Sequence, residues 1–179
     1  MIFGKRVRLR GVEKKDIEQF VVWLNDPDVR NNLLIYWPMT LWEEEEWFEG
    51  LKKRESAEKP LAIEVNTPDG WQLIGNSGFH QVDWKNSSAE VGIFIGDKDY
   101  WNQGYGSDAM RLLLKYGFNS LNLNRIYLHV FDTNPRAIRA YEKVGFVHEG
   151  RLRQDIFLNG SYVDVLMMSV LRSEWTTEK

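Results

Sequence analysis

Two glycines one residue apart, Gly104 and Gly106, stand where a long apolar-periodic run begins in "DKDYWNQGYGSDAMRLLLKYGF", residues 97–118. Such residues do chemistry with their backbone. The first N–H groups of a helix lack helical partners, and the aligned peptide dipoles favour an anion there. Glycine lets the main chain approach a ligand closely and adopt positive φ. Residues 102–107, joining a strand to a helix, therefore suit a phosphate or pyrophosphate. Taken alone they are equally a glycine-tolerant turn that holds nothing. They also read as G-x-G-x-x-A over residues 104–109, overlapping the dinucleotide fingerprint. That fingerprint needs a βαβ unit and an acidic residue ~20 positions on. Asn124 and Arg125 stand there instead, and the preceding strands read as antiparallel. A Walker phosphate loop is excluded, because no Gly-Lys-Ser/Thr follows.

Other chemistries are closed by composition. The chain has no cysteine, which excludes disulfides, thiolate metal sites, iron–sulfur clusters and a cysteine nucleophile. His80, His129 and His148 lie far apart without metal-ligand spacing, so no metal is expected. A formal net charge of −3 argues against broad nucleic-acid binding. No apolar run approaches the ~20 residues of a membrane span. The N-terminal "MIFGKRVRLRG" has no apolar signal-peptide core, and the expected location is the cytoplasm. The 179 residues suit one domain, 1–179.

The elements that must position the loop follow from period and punctuation. Val7 to Arg10 reads as a first strand. Asp16 with Gln19 resembles a capping box before a helix carrying Ile17, Phe20, Val21 and Leu24. Thr40 with Glu43 opens a second helix, with Leu41, Trp47, Phe48 and Leu51 on its apolar side. "LAIEV", "WQLIGNSGFHQV" and "SAEVGIFIG" form an antiparallel meander separated by "TPDG" and "KNSS". The helix after the glycines presents Met110, Leu113, Leu114, Gly117, Phe118 and Leu121. "RIYLHVF" is a strand. Asn134 and Pro135 are the N-cap and first residue of the last helix, with Ala137, Ala140, Tyr141 and Val144 inward, and Gly145 stops it. "DIFLNGSYVDVLMMSV" is a hairpin turning at Asn159-Gly160. The fold class expected is α/β (α+β): one mixed, mostly antiparallel sheet, with helices on both faces.

The segments "AEVGIFIGDKDYWNQGYGSDA" and "NPRAIRAYEKVGF" together resemble the GNAT family of acetyl-CoA-dependent N-acetyltransferases. The likeness runs from "RVRLRGVEKKD" to "LNGSYVDVLMMSV". The family's pyrophosphate motif is Q/R-x-x-G-x-G/A, matched at Gly104 and Gly106. It departs at the first position, where Trp101 replaces Gln or Arg, a substitution familiar in the RimJ/RimL-like and spermidine acetyltransferase branch. That bears on one side-chain phosphate contact and leaves the backbone cradle in place.

The resemblance implies a sheet splayed at its centre, with pantetheine entering beside the backbone near Phe94 and Ile95. The backbone of Asn102, Gln103, Gly104, Tyr105, Gly106 and Ser107 would hold the pyrophosphate, and Asn134 would reach the cofactor arm. Tyr141 stands where the family has its acid, and its phenol, ordinarily near pKa ~10, is close enough to an alkyl thiol to protonate the departing thiolate; a core aromatic is the alternative. Glu90 has the spacing of a family base, or is a solvent-facing carboxylate. Without cysteine, the amine attacks the thioester directly in a ternary complex. Family analogy sets the acceptor, a small amine, a polyamine or a protein N-terminus, against "NDPDVRNNLLIYWPM", with Asp28, Arg30, Tyr36 and Trp37 as contacts. Glu43, Glu44, Glu45 and Glu46 read as a solvated helix start. A homodimer is expected by family habit. The other class of function is a non-catalytic acetyl-CoA-binding sensor or interaction module.

Overall fold

Every second residue of "RIYLHVF" is buried with the main core: Ile126, Leu128 and Val130 go to one face, and Tyr127 and His129 are left on the other. The same alternation in "SAEVGIFI" sends Ala89 and Val91 inward, and Glu90, Gly92 and Phe94 to the opposite face. A computed structural model describes residues 1–175. Its elements are β1 (Ile2–Phe3), β2 (Val7–Gly11), α1 (Ile17–Asn25), α2 (Pro27–Arg30), α3 (Leu41–Gly50), β3 (Leu61–Thr67), β4 (Gly70–Asp83), β5 (Ser88–Ile95), α4 (Tyr105–Asn119), β6 (Arg125–Phe131), α5 (Pro135–Val144), β7 (Val147–Leu158) and β8 (Ser161–Leu171). The strands form one eight-stranded sheet in the order β1-β2-β3-β4-β5-β6-β8-β7. All neighbours are antiparallel except β5 and β6.

That parallel pair is where the sheet opens. β5 and β6 pair only at Ser88↔Arg125, Ala89↔Ile126 and Glu90↔Tyr127, although each strand runs on for several residues. The two ends diverge into α4 and α5, whose apolar faces close the main core on one side of the sheet. On the other side α1 buries Ile17, Phe20, Trp23 and Leu24 with Phe94 packed against them. Gly96 is obligatory to this packing, because a Cβ there would lie 2.2 Å from the Trp23 ring. Asn159 and Gly160 both take positive φ, as a type I′ hairpin turn requires.

Two sequence expectations on this face are corrected. Asp16 does not cap α1. The capping box is formed one turn earlier, between Glu13 and Asp16 around a short 3₁₀ turn. The Asp16 carboxylate accepts two bonds from Arg10, at 2.7 and 2.8 Å, and Glu64 accepts from both Arg10 and Arg8. A buried guanidinium demands such partners, and Asp16 with Glu64 drives the Arg10 pKa upward. Nor are the four glutamates of α3 a uniform solvated start. Glu43 completes the Thr40 capping box, Glu45 meets Lys14 at 3.4 Å, and Glu44 is buried. Leu41, placed on the apolar side by pattern, is instead exposed.

Burial pushes the Glu44 carboxyl up to about 7 from 4.5. The folded protein therefore holds that proton between pH 4.5 and 7, where the unfolded chain releases it. Stability falls as pH rises through this window, and above it the buried charge costs its full amount, at most ~3 kcal/mol. Glu44→Gln removes the charge and keeps the shape. In denaturant melts it is expected to be more stable than wild type at pH 8, by ~1–3 kcal/mol, and to match it near pH 4.5. A stability difference independent of pH would reject buried charge as the cause.

Candidate active site

The glycine loop has the shape its composition suggests. Asn102 and Gly104 both have positive φ, and Gly104, at φ 84° and ψ 0°, is the N-cap of α4. No side chain caps α4, whereas Thr40 caps α3 and Asn134 caps α5. The leading N–H groups of a 15-residue helix are thus left without a side-chain acceptor, with the positive end of its dipole behind them. Gly106 has space around it, since a Cβ there would come only within 3.7 Å of Ile95. Ser107 is buried. These features suit a phosphate or pyrophosphate anion.

Arg6, which no sequence spacing marks, fastens the loop from below. It donates to Asp108 at 2.7 Å and to the Gln103 carbonyl at 3.1 Å, and its guanidinium lies 4.6 Å from the Tyr105 ring centroid. Gln103 is tied further by donation to the Asp99 carbonyl.

The edge of β5 that faces the gap is fixed by ladder phase. Gly96 donates to the Ile74 carbonyl at 2.9 Å. Alternate residues of an antiparallel strand turn their polar groups to opposite sides, so Phe94, like Gly96, turns N–H and C=O toward β4. Ile93 and Ile95 turn theirs toward β6, which corrects the expected pair of Phe94 and Ile95. The Ile95 carbonyl is taken by the Trp101 indole, at 2.7 Å. The Ile95 N–H and both Ile93 groups therefore edge the gap.

At the vertex of the gap, Glu90 is the last residue of β5 paired to β6. It accepts or shares a hydrogen bond with His129 Nδ1 at 2.7 Å. His80 stands opposite Glu90 on β4, its pKa lowered by burial. The alternation of "RIYLHVF" already put His129 on the Tyr127 face, but its closeness to Glu90 depends on strand pairing. Tyr141 is half-buried on the inner side of α5 and meets Phe146, ring centroids 5.8 Å apart. Burial pushes its phenol up to about 12. No described side-chain polar atom is fully buried without a partner.

An open cleft of about 500 Å³ lies across the mouth of the gap. Trp101 and Asn134 line it from the ends of the two diverging strands, Asp28, Asn31 and Asn32 from α2 and the turn after it, and Leu158, Asn159 and Ser161 from the β7–β8 hairpin. The Asn134 Oδ1 accepts from the Ala137 N–H at 3.1 Å, so its capping role is filled. The hairpin reaches over to α2, where Asn159 donates to Asn31 at 3.3 Å. Of the four acceptor contacts expected, only Asp28 lines this cleft, and Lys98 already pairs with it at 3.0 Å and with Asp26 at 2.7 Å. Arg30, Tyr36 and Trp37 do not line it, and both aromatics are exposed. Among the described residues no group of three or more His, Asp or Glu could hold a metal ion, and no helix is long and apolar enough to cross a membrane.

A parallel pair splayed above an uncapped, glycine-led helix leaves an anion cradle beside an open strand edge. Residues 6–147 match the acetyltransferase (GNAT) domain. A spermidine N(1)-acetyltransferase from Vibrio cholerae serotype O1 is 32% identical over 175 residues, 96% of each chain. The putative ribosomal N-acetyltransferase YdaF of Bacillus subtilis is 34% identical over 107 residues, 60% of this chain and 58% of that protein. The crystal structure of spermidine N-acetyltransferase from Vibrio cholerae in complex with CoA and spermine superposes with a TM-score of 0.86, at 30% identity, covering 96% of this chain and 98% of that one. The chain belongs to the GNAT family and is an acetyl-CoA-dependent N-acetyltransferase.

Proposed function

We propose that this protein passes the acetyl group of acetyl-CoA directly to a small or terminal primary amine, polyamines included, within a ternary complex. The observation that carries the reading is the three-residue pairing of β5 and β6. It leaves a gap with the pyrophosphate loop at one end and Glu90 with His129 at the vertex. Acetyl-CoA supplies an activated acyl thioester. The amine nitrogen bonds to the carbonyl carbon, the C–S bond breaks, and CoA leaves as the thiol. The Ile95 or Ile93 N–H is the donor for the developing oxyanion, a term often worth ~3 kcal/mol. Glu90, through His129 or a water, receives the proton that the attacking nitrogen must lose. Tyr141 hydrogen-bonds and protonates the thiolate.

The acceptor class is supported by the hairpin contact to α2, which walls the open cleft from two sides. It is supported also by the spermidine acetyltransferase and RimJ/RimL-like likeness. Lys98 bridges Asp28 and Asp26 and leaves that cluster one net negative charge for a cationic acceptor, with Glu90 a second one at the vertex. The experiment is release of free CoA from acetyl-CoA with polyamines, N-terminal peptides, aminoglycosides and small amines. Turnover is expected with at least one small or terminal amine. With a polyamine, apparent affinity should fall as salt is added, and Glu90→Gln should lower kcat. Acetylation confined to internal lysines of folded proteins overturns the acceptor class.

A further inference from the structure

The family motif carries Gln or Arg where this chain has Trp101, and an indole cannot hold a phosphate by charge. Yet the position is not idle. The Trp101 Nε1 donates to the Ile95 carbonyl at 2.7 Å, which fastens the indole to the end of β5. The guanidinium of Arg136, in the first turn of α5, lies 3.6 Å from the centroid of that ring. Arginine stacks well on an aromatic face, and its fork of donors stays free at the edges. Arg136 has no carboxylate partner among the described residues. It lines the same cleft as Trp101 and Asn134, and Trp101 is only three residues before Gly104. An unpaired, partly desolvated cation on a rigid platform is costly to keep, and an arriving anion relieves that cost.

We propose that Arg136 replaces the missing motif side chain as the cation that binds the diphosphate of acetyl-CoA, and that Trp101 is the residue that positions it. This rests on the reading of the glycine loop as the acetyl-CoA diphosphate site. The stack spans the strand ends after β5 and β6, so the two sides of the gap are joined through one side-chain pair. The diphosphate then meets backbone N–H groups of the glycine loop on one side and a guanidinium on the other.

The test is calorimetric binding to three probes: acetyl-CoA, acetyl-dephospho-CoA without the 3′-phosphate, and S-acetylpantetheine without any phosphate, the last followed as a KM where binding is too weak to titrate. Arg136→Ala is expected to raise Kd about 10–100-fold for the first two alike and to leave the third unchanged. Trp101→Leu should reproduce most of that loss and Trp101→Phe should recover it in part. The Trp101→Leu, Arg136→Ala double variant should bind no worse than the weaker single, because the two act as a unit. Loss confined to acetyl-CoA would assign Arg136 to the 3′-phosphate and overturn the diphosphate role. Loss that persists with S-acetylpantetheine, or equal affinity in Arg136→Ala, overturns phosphate binding altogether. Additive penalties overturn the positioning role of Trp101. Wild-type protein that fails to bind acetyl-CoA overturns the site itself, a separate result.

Discussion

Tyr141→Phe is expected to keep the fold and the acetyl-CoA affinity while lowering kcat by about 10²–10⁴-fold, the usual worth of a positioned acid. The variant deletes one hydroxyl and retains the ring that packs on Phe146, so stability should barely move. The raised phenol, near 12, sharpens the expectation. At that value Tyr141 is protonated throughout the neutral and mildly alkaline range, so it is always a donor. It is also a weaker acid than a free phenol, and full transfer to an alkyl thiolate is uphill by about three and a half pKa units against an ordinary thiol near ~8.5. Its proton therefore moves late, once the nitrogen of the tetrahedral intermediate has turned cationic and draws the phenol pKa back down. The wild-type rate should accordingly show no alkaline fall from loss of this acid below about pH 10. Single-turnover acetyl transfer, with binding measured separately, checks both. Wild-type transfer rates in Tyr141→Phe would remove the phenol from the reaction, leaving it the core aromatic that its face also allows.

What could be read in the sequence is what depends on neighbours along the chain. The period of α4, the glycines before it, the Thr40–Glu43 box and the Asn159-Gly160 turn are all local signals, and each stands in the structure. β7 shows where locality fails. Pattern placed the hairpin from Asp155, but the strand begins at Val147. As the edge strand of the sheet, it leaves "VHEGRLRQD" exposed on both faces, so no apolar alternation marks it. Asp16 was read as a cap because a carboxylate before an apolar run usually is one. Its true partner, Arg10, lies on β2, and only the folded sheet brings the two together. The same holds in the site. Glu90 with His129, Arg6 with Asp108 and Arg136 with Trp101 are separated by 39, 102 and 35 positions, and spacing over such distances carries no information. The class of reaction was legible only through the resemblance that the two motifs carry together, since the glycine loop by itself suggests no more than an anion site; the side chains that pair across the sheet were not legible.

Gly104→Val is expected to leave a folded protein that binds acetyl-CoA at least about 100-fold more weakly, the loss of one or two charge-assisted backbone hydrogen bonds. Two physical causes combine. At φ 84° a β-branched residue is strained by ~1–2 kcal/mol, and its Cβ would also lie 3.1 Å from the Arg6 guanidinium. The local chain relaxes by rotating the peptide that aims the first N–H groups of α4, so the anion cradle is lost before the helix is. The strain alone should lower the melting temperature by about 2–8 °C. Gly145→Ala separates strain from site. It too forces a side chain into positive φ at a helix end, φ 107°, but nothing lies within 4 Å of its Cβ. It should lose comparable stability and keep full acetyl-CoA affinity. Gly106→Ala is the complementary probe, because its Cβ makes only ordinary contact with Ile95. Weaker binding there, without loss of stability, reports how closely the ligand approaches the backbone. Calorimetry on the three variants decides the matter. Unchanged affinity in a folded Gly104→Val protein would mean that the pyrophosphate does not sit on this loop.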